Sequence, residues 1–181
     1  MHTSLDGFVA GPNGEMDWIK TGAEMFEIAG ERTDEADIAL YGRVTYDMME
    51  EYWPTAGSQP GAGKHTLQHS AWYNRVEKVV VSKTLKDDPQ RKRKVFSENF
   101  IEELSALKKK EGNDILLIGS PSIVRSLIKE NMIDDYWLFV NPMILGNGIP
   151  LFDHMDKNIS LELVNTQKFD SGVVCLHYKS L

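Results

Sequence analysis

The chain has 181 residues, 41% of them hydrophobic and 26% charged, which fits one globular domain with enough apolar material for a core. A formal net charge of −7 argues against general nucleic-acid binding, which depends on neutralising phosphates with Lys and Arg. The single cysteine, Cys175, excludes an internal disulfide and a cysteine-based zinc site, and no apolar run approaches the ~20 residues of a membrane helix.

The N-terminus shows no basic patch followed by an apolar run, and the sparing use of cysteine suits a reducing compartment, so the sequence reads as cytoplasmic. Residues 5–10 read as a short strand that begins abruptly, followed by a Gly-Pro-Asn-Gly turn at 11–14. Residues 21–30 predict a helix. The apolar run 36–41, ending at Gly42, suits a buried parallel strand. Over 43–53 a helix places Val44, Met48 and Tyr52 on one face. Two prolines and three glycines make 54–63 a loop, and 67–75 a short helix.

Residues 78–82 predict a strand. The basic run 91–94 precedes a short strand at 95–96. A helix over 99–110 aligns Phe100, Ile101, Leu104 and Leu107, with Lys108 to Lys110 favouring its negative end. Residues 114–118 read as a buried strand, 121–131 as a helix with Ile123, Val124, Leu127 and Ile128 facing the core, and 135–144 as a long strand ended by Gly146-Asn147-Gly148. Residues 161–169 and 173–179 predict a terminal antiparallel hairpin. Strand and helix alternation through the middle implies parallel strands with crossover helices.

Three junctions have the chemistry of an anion seat. At Gly119-Ser120-Pro121-Ser122 a strand ends and a helix begins, so free N–H groups, a glycine for close approach and two hydroxyls converge. The same residues also describe a well-capped helix. At Gly42-Arg43-Val44-Thr45 the pattern repeats with a fixed positive charge, although Arg43 is equally readable as a surface arginine. Ser82 and Lys83 follow a third strand, at the edge where open α/β sheets bind ligands; they could hold an adenosine 2′-phosphate or form a solvated loop.

No G-x-G-x-x-G fingerprint, Walker loop or G-x-S-x-G elbow is present. Of the histidines (His2, His65, His69, His154, His177) only His65 and His69 are four apart, and a shared helix face explains them more simply than a metal. Asp6, Asp17, Glu24 and Glu27 are carboxylates near the N-terminus that could orient a substrate or help deliver a proton, or serve as turn and surface acids.

The segments Ser4-Leu5-Asp6-Gly7-Phe8-Val9-Ala10, Met16-Asp17-Trp18-Ile19, Tyr41-Gly42-Arg43-Val44-Thr45-Tyr46, Gly119-Ser120-Pro121-Ser122 and the stretch from Pro142 to Phe152 follow one another in the order of the dihydrofolate reductase-like superfamily. More narrowly, the chain resembles stand-alone relatives of the reductase domain of bacterial riboflavin biosynthesis. The resemblance implies a single domain over 1–181. Its fold would be three-layer α/β, with a twisted, mostly parallel sheet, an antiparallel C-terminal hairpin and helices on both faces.

The resemblance further implies NADPH along the sheet edge, with Gly42, Arg43, Thr45, Ser82, Lys83, Gly119, Ser120, Pro121 and Ser122 on the cofactor. Asp6 and Glu24 would fall at the chemistry, and Gly7 and Trp18 beside the substrate. The implied activity is NADPH-dependent reduction of a small heterocycle, ribosylamino-pyrimidine or pterin-like. A non-catalytic binder of the same fold and a true folate reductase are the alternatives. It also implies a homodimer, for which Trp137 and Phe139 are the candidate contacts. Three departures stand out: relatives carry more residues before Ser4, the acid of true dihydrofolate reductases has no clean counterpart although Glu24 lies near its place, and many relatives have a second glycine where this chain has Ser120.

Overall fold

A computed structural model describes residues 1–153, 155 and 158–181. In chain order the elements are β1 (His2–Thr3), β2 (Phe8–Ala10), α1 (Ala23–Asp34), β3 (Ala36–Gly42), α2 (Arg43–Ala56), α3 (Lys64–Arg75), β4 (Glu77–Val81), β5 (Arg93–Phe96), α4 (Phe100–Lys108), β6 (Asp114–Leu117), α5 (Pro121–Lys129), β7 (Asp135–Val140), β8 (Ile149–Pro150), β9 (Leu161–Lys168) and β10 (Val174–Ser180). They group into two compact units, Ala23–Ser120 and Met1–Gly22 with Pro121–Leu181.

The unit Ala23–Ser120 is built on a parallel sheet of order β5-β4-β3-β6. β3 and β4 lie inside it and are buried for most of their length, as their apolar runs require. β6, the outer strand, is only half-buried, where the sequence suggested full burial. Ala36, Ala39, Tyr41, Tyr46, Trp72, Tyr73, Val76 and Val80 form the core.

Two expectations change here. α2 turns Tyr46 and Ala56 inward, with Met49 and Trp53 packed on the core, while Val44, Met48 and Tyr52 are exposed. The helix carries two apolar stripes, and the bulkier aromatic one wins the core. α2 also runs through Pro54 to Ala56, and α3 begins at Lys64, so the loop between them is shorter than the prolines and glycines suggested. α1 likewise begins later and ends four residues beyond the predicted span.

The other unit holds a sheet of order β1-β7-β10-β9 and a separate β2-β8 pair. The terminal hairpin forms as predicted, with β10 antiparallel to both β9 and β7. The expected strand over 5–10 is instead two pieces. His2 and Thr3 pair in parallel with Phe139 and Val140, and only Phe8–Ala10 resumes extended pairing. Between them the Ser4 hydroxyl accepts the Phe8 N–H at 2.9 Å and folds the chain into a turn.

β7 also stops four residues short of the expected end. The buried Asn141 side chain accepts the Lys20 N–H at 2.9 Å and donates to the carbonyls of Thr3 (3.2 Å) and Phe139 (3.1 Å), and Pro142 has no N–H for a ladder. α5 buries Ile123, Val124, Leu127 and Ile128, as predicted.

Candidate functional site

The parallel order β4-β3-β6 sets the C-terminal ends of three strands side by side, and these are the three junctions singled out in the sequence. β3 ends at Gly42, the N-cap of α2, which has no side chain to accept the first-turn N–H groups. Arg43 is exposed; its Nε lies 3.3 Å from Asp47, and its Nη1 donates to the Thr84 hydroxyl. Beyond β4, the buried Ser82 hydroxyl accepts the N–H groups of Thr84 (3.2 Å) and Leu85 (3.1 Å), so it shapes the loop. Lys83 stands 80% exposed, 3.9 Å from Glu98.

Arg43, Ser82, Lys83, Thr84 and Glu98 line an open cleft of about 580 Å³ together with Val81, Ser97 and Phe100. Sequence reading gave no site role to Ser97, Glu98 or Phe100, nor to Thr84 at the end of the third junction. The signal was available: Ser97 and Glu98 follow the end of β5, the same strand-end position that drew attention to Ser82 and Lys83.

At the third junction Gly119 and Ser120 both adopt left-handed backbone, with φ of +73° and +58°. Gly119 is required twice over, because a Cβ there would lie 2.9 Å from Thr45 Cγ2. The Ser120 side chain accepts the Gly42 N–H at 2.6 Å and lies 3.1 Å from the Thr45 hydroxyl. Ser120 and Thr45 therefore staple the end of β6 to the start of α2. Pro121 opens α5 directly after, and Ser122 is exposed in its first turn.

In the other unit, the turn 4–7 is clasped to the Gly-rich stretch 145–151. The Asp6 carboxylate accepts from the Ser4 hydroxyl (2.7 Å), the Leu145 N–H (3.1 Å) and the Gly146 N–H (2.7 Å). The Ser4 hydroxyl first, and the Gly146 and Leu145 N–H groups with it, hold its pKa down at about 2. Gly7, at φ +86°, donates to the Ser4 carbonyl, and its own carbonyl accepts the Leu151 N–H at 2.9 Å. Gly148 permits the β2-β8 approach, since a Cβ there would collide with the Ala10 carbonyl oxygen. Trp18 is half-buried and donates to the Glu15 carbonyl at 3.1 Å. Glu24 belongs instead to the unit Ala23–Ser120, exposed in the first turn of α1.

His65 and His69 do share a face of α3, with ring centroids 5.6 Å apart, and His69 packs 4.0 Å from Trp53. Among the described residues no group of three or more His, Cys, Asp or Glu is placed to hold a metal, and no helix is long and apolar enough to cross a membrane. His154 lies outside the described residues.

The donor set of the cleft suits a phosphorylated ligand. Two cations, the Thr84 and Ser97 hydroxyls and the N-terminus of a 14-residue helix all serve an anion, and Phe100 adds an aromatic surface.

The family model described as the RibD C-terminal domain matches residues 1–175. The chain is 34% identical over 177 residues to the uncharacterized protein YyaP of Bacillus subtilis (strain 168), covering 97% of this chain and 89% of that one. It superposes with a TM-score of 0.68 on a diaminohydroxyphosphoribosylaminopyrimidine deaminase/5-amino-6-(5-phosphoribosylamino)uracil reductase of Thermotoga maritima, at 15% identity over 99% of this chain and 55% of that one. A dihydrofolate reductase of Enterococcus faecalis, solved with NADP(H), gives a TM-score of 0.62 at 15% identity over 99% of this chain and 92% of that one. These two likenesses give the fold, which is dihydrofolate reductase-like. The family match and the YyaP identity carry the relationship further: the chain belongs to the RibD C-terminal domain family.

Proposed function

We infer that this protein is an NADPH-dependent reductase of a small heterocycle, of the ribosylamino-pyrimidine or pterin class. The observation that carries the reading is the alignment of three strand ends on one edge of a parallel sheet, with Arg43, Lys83, Thr84 and the start of α2 facing one cleft. The names of the Thermotoga and Enterococcus proteins, one a pyrimidine-type reductase and one bound to NADP(H), support the class of cofactor and substrate.

In this reading Arg43 and Lys83 neutralise cofactor phosphates together with the N-terminal turn of α2, and Ser122 is proposed as a cofactor contact on the family resemblance alone. Gly42, Thr45, Gly119, Ser120 and Pro121 shape the seat. When bound, NADPH would supply the hydride. Gly7 and Trp18 would flank the substrate, and Asp6, as an ionised acceptor, would orient it through the 145–146 backbone it holds. Glu24 is the remaining candidate for proton delivery. The family match spans both compact units, which supports treating them as one domain.

A homodimer is proposed through the unit that carries the terminal hairpin. Phe139, packed beside His2 and Phe169 and 7% exposed, is replaced as a contact by the exposed Leu163 and Val164 of β9. Trp137 stacks on His177 at 3.8 Å and stays at the margin of that surface. A cytoplasmic location is proposed on the single, buried Cys175.

The test is a fluorescence titration with NADPH, followed by NADPH oxidation assays with 5-amino-6-(5-phosphoribosylamino)uracil and dihydrofolate. Saturable binding and turnover of the uracil support the reading; a folded sample that binds no NADPH at millimolar concentration overturns it. A second reading, a binder without turnover, draws on Asp6, which has three donors and no proton to give at neutral pH. Binding without oxidation across the panel would establish it.

A further inference from the structure

The cleft contains a carboxylate that a phosphate site does not need. Glu98 stands on the loop between β5 and α4, 80% exposed, with Oε1 3.9 Å from Lys83 Nζ. The other cation of the cleft, Arg43, is likewise accompanied, by Asp47 at 3.3 Å. Each positive charge available to an adenosine 2′-phosphate therefore begins with an acidic neighbour. The Lys83–Glu98 pair is long and solvated, so it contributes little to the fold. Its effect falls on the ligand: a 2′-phosphate dianion draws Lys83 away from Glu98 and then faces the carboxylate across a few ångströms, whereas a 2′-hydroxyl can donate to that carboxylate and leaves Lys83 where it is.

We propose that Glu98 is a specificity-determining residue of the cleft, which weakens discrimination between NADPH and NADH by opposing the 2′-phosphate and accepting the 2′-hydroxyl. This rests on the cleft being the dinucleotide site. Lys83 and Glu98 then act as opposed readers of the same ribose position, one for each cofactor.

The test is a pair of fluorescence titrations, with NADPH and with NADH, on the wild type, Glu98→Gln and Lys83→Ala. Both side chains are exposed, so neither change disturbs the fold, and circular dichroism verifies this. Glu98→Gln raises the NADPH-to-NADH affinity ratio by roughly three- to tenfold at low salt, tightening the first and loosening the second, and the gain shrinks at high salt. Lys83→Ala lowers the ratio by a similar factor, with NADH affinity little changed. An unchanged ratio in Glu98→Gln, or equal changes for both nucleotides, overturns the assignment while leaving the cofactor site standing. Absence of wild-type binding to either nucleotide overturns both the cofactor site and this reading of Glu98.

Discussion

The Asp6 carboxylate accepts the Gly146 N–H at 2.7 Å across a sequence separation of 140, tying the turn after β1 to the glycine-rich stretch before β8. Two motifs that in sequence are only a recurring order are in space one clasp.

The charge on Asp6 belongs to that clasp. Its carboxyl titrates at about 2 in the folded protein, against an ordinary value of 3.8, so below pH 4 the unfolded chain takes up protons that the folded one does not. The contribution is complete above about pH 4 and disappears as the pH falls through about 2. Urea unfolding of wild type and Asp6→Asn across that range should show a difference in midpoint that is widest at neutral pH and closes in acid. A difference independent of pH would mean that the charge plays no part.

Ser120 offers a test of the staple. Ser120→Ala leaves the buried Gly42 N–H without its acceptor and keeps a Cβ at φ +58°, so it should destabilise by about 1–3 kcal/mol. Ser120→Gly loses the same bond but relieves the left-handed backbone, and should recover about 1 kcal/mol of that loss. Denaturant midpoints that rank alanine above glycine would refute the assignment of strain to this position.

Gly119→Ala should be among the more damaging single changes in the Ala23–Ser120 unit. The new methyl meets Thr45 Cγ2 at 2.9 Å and Oγ1 at 3.1 Å, and the backbone is already at φ +73°. A loss of about 2 kcal/mol or more is expected. Combining it with Thr45→Ala should return the steric part and leave the backbone part, which a double-mutant cycle separates.

His69 is half-buried, with both ring nitrogens shut off from solvent and without a hydrogen-bond partner among the described residues. Burial, helped by the neighbouring His65, lowers its pKa from 6.5 to about 4. The folded protein therefore binds fewer protons than the unfolded chain between those values. The neutral ring's contribution is fully present above pH 6.5 and is lost as the pH falls through about 4. His69→Leu should raise stability by about 1 kcal/mol at neutral pH and flatten the decline below pH 6.5. Thermal melts at several pH values read both effects; a variant that melts lower at neutral pH would show that ring packing outweighs the unmet polarity.

The strands β3 and β4 and the buried face of α5 were legible because continuous apolar runs and a clean four-residue spacing leave one arrangement. α2 was not, because Val44, Met48 and Tyr52 are as regularly spaced as Tyr46, Met49 and Trp53, and only the packed core chooses between the stripes. The break at Ser4 and the early end of β7 at Asn141 depend on side chains that hydrogen-bond distant backbone, which no local pattern reports. The three junctions were located correctly as strand ends. Their hydroxyls have a second role that the strand-end pattern does not report: Ser82 and Ser120 accept the backbone N–H groups of Thr84, Leu85 and Gly42.

The staple between Gly42 and Ser120 joins positions 78 apart in sequence. It cannot exist until β6 has paired with β3, a non-local parallel contact of the kind that closes late as a chain folds. Early species would carry the helices without the edge. A ligand that recognises the edge then meets only the finished unit, so it should slow unfolding while leaving the rate of folding unchanged.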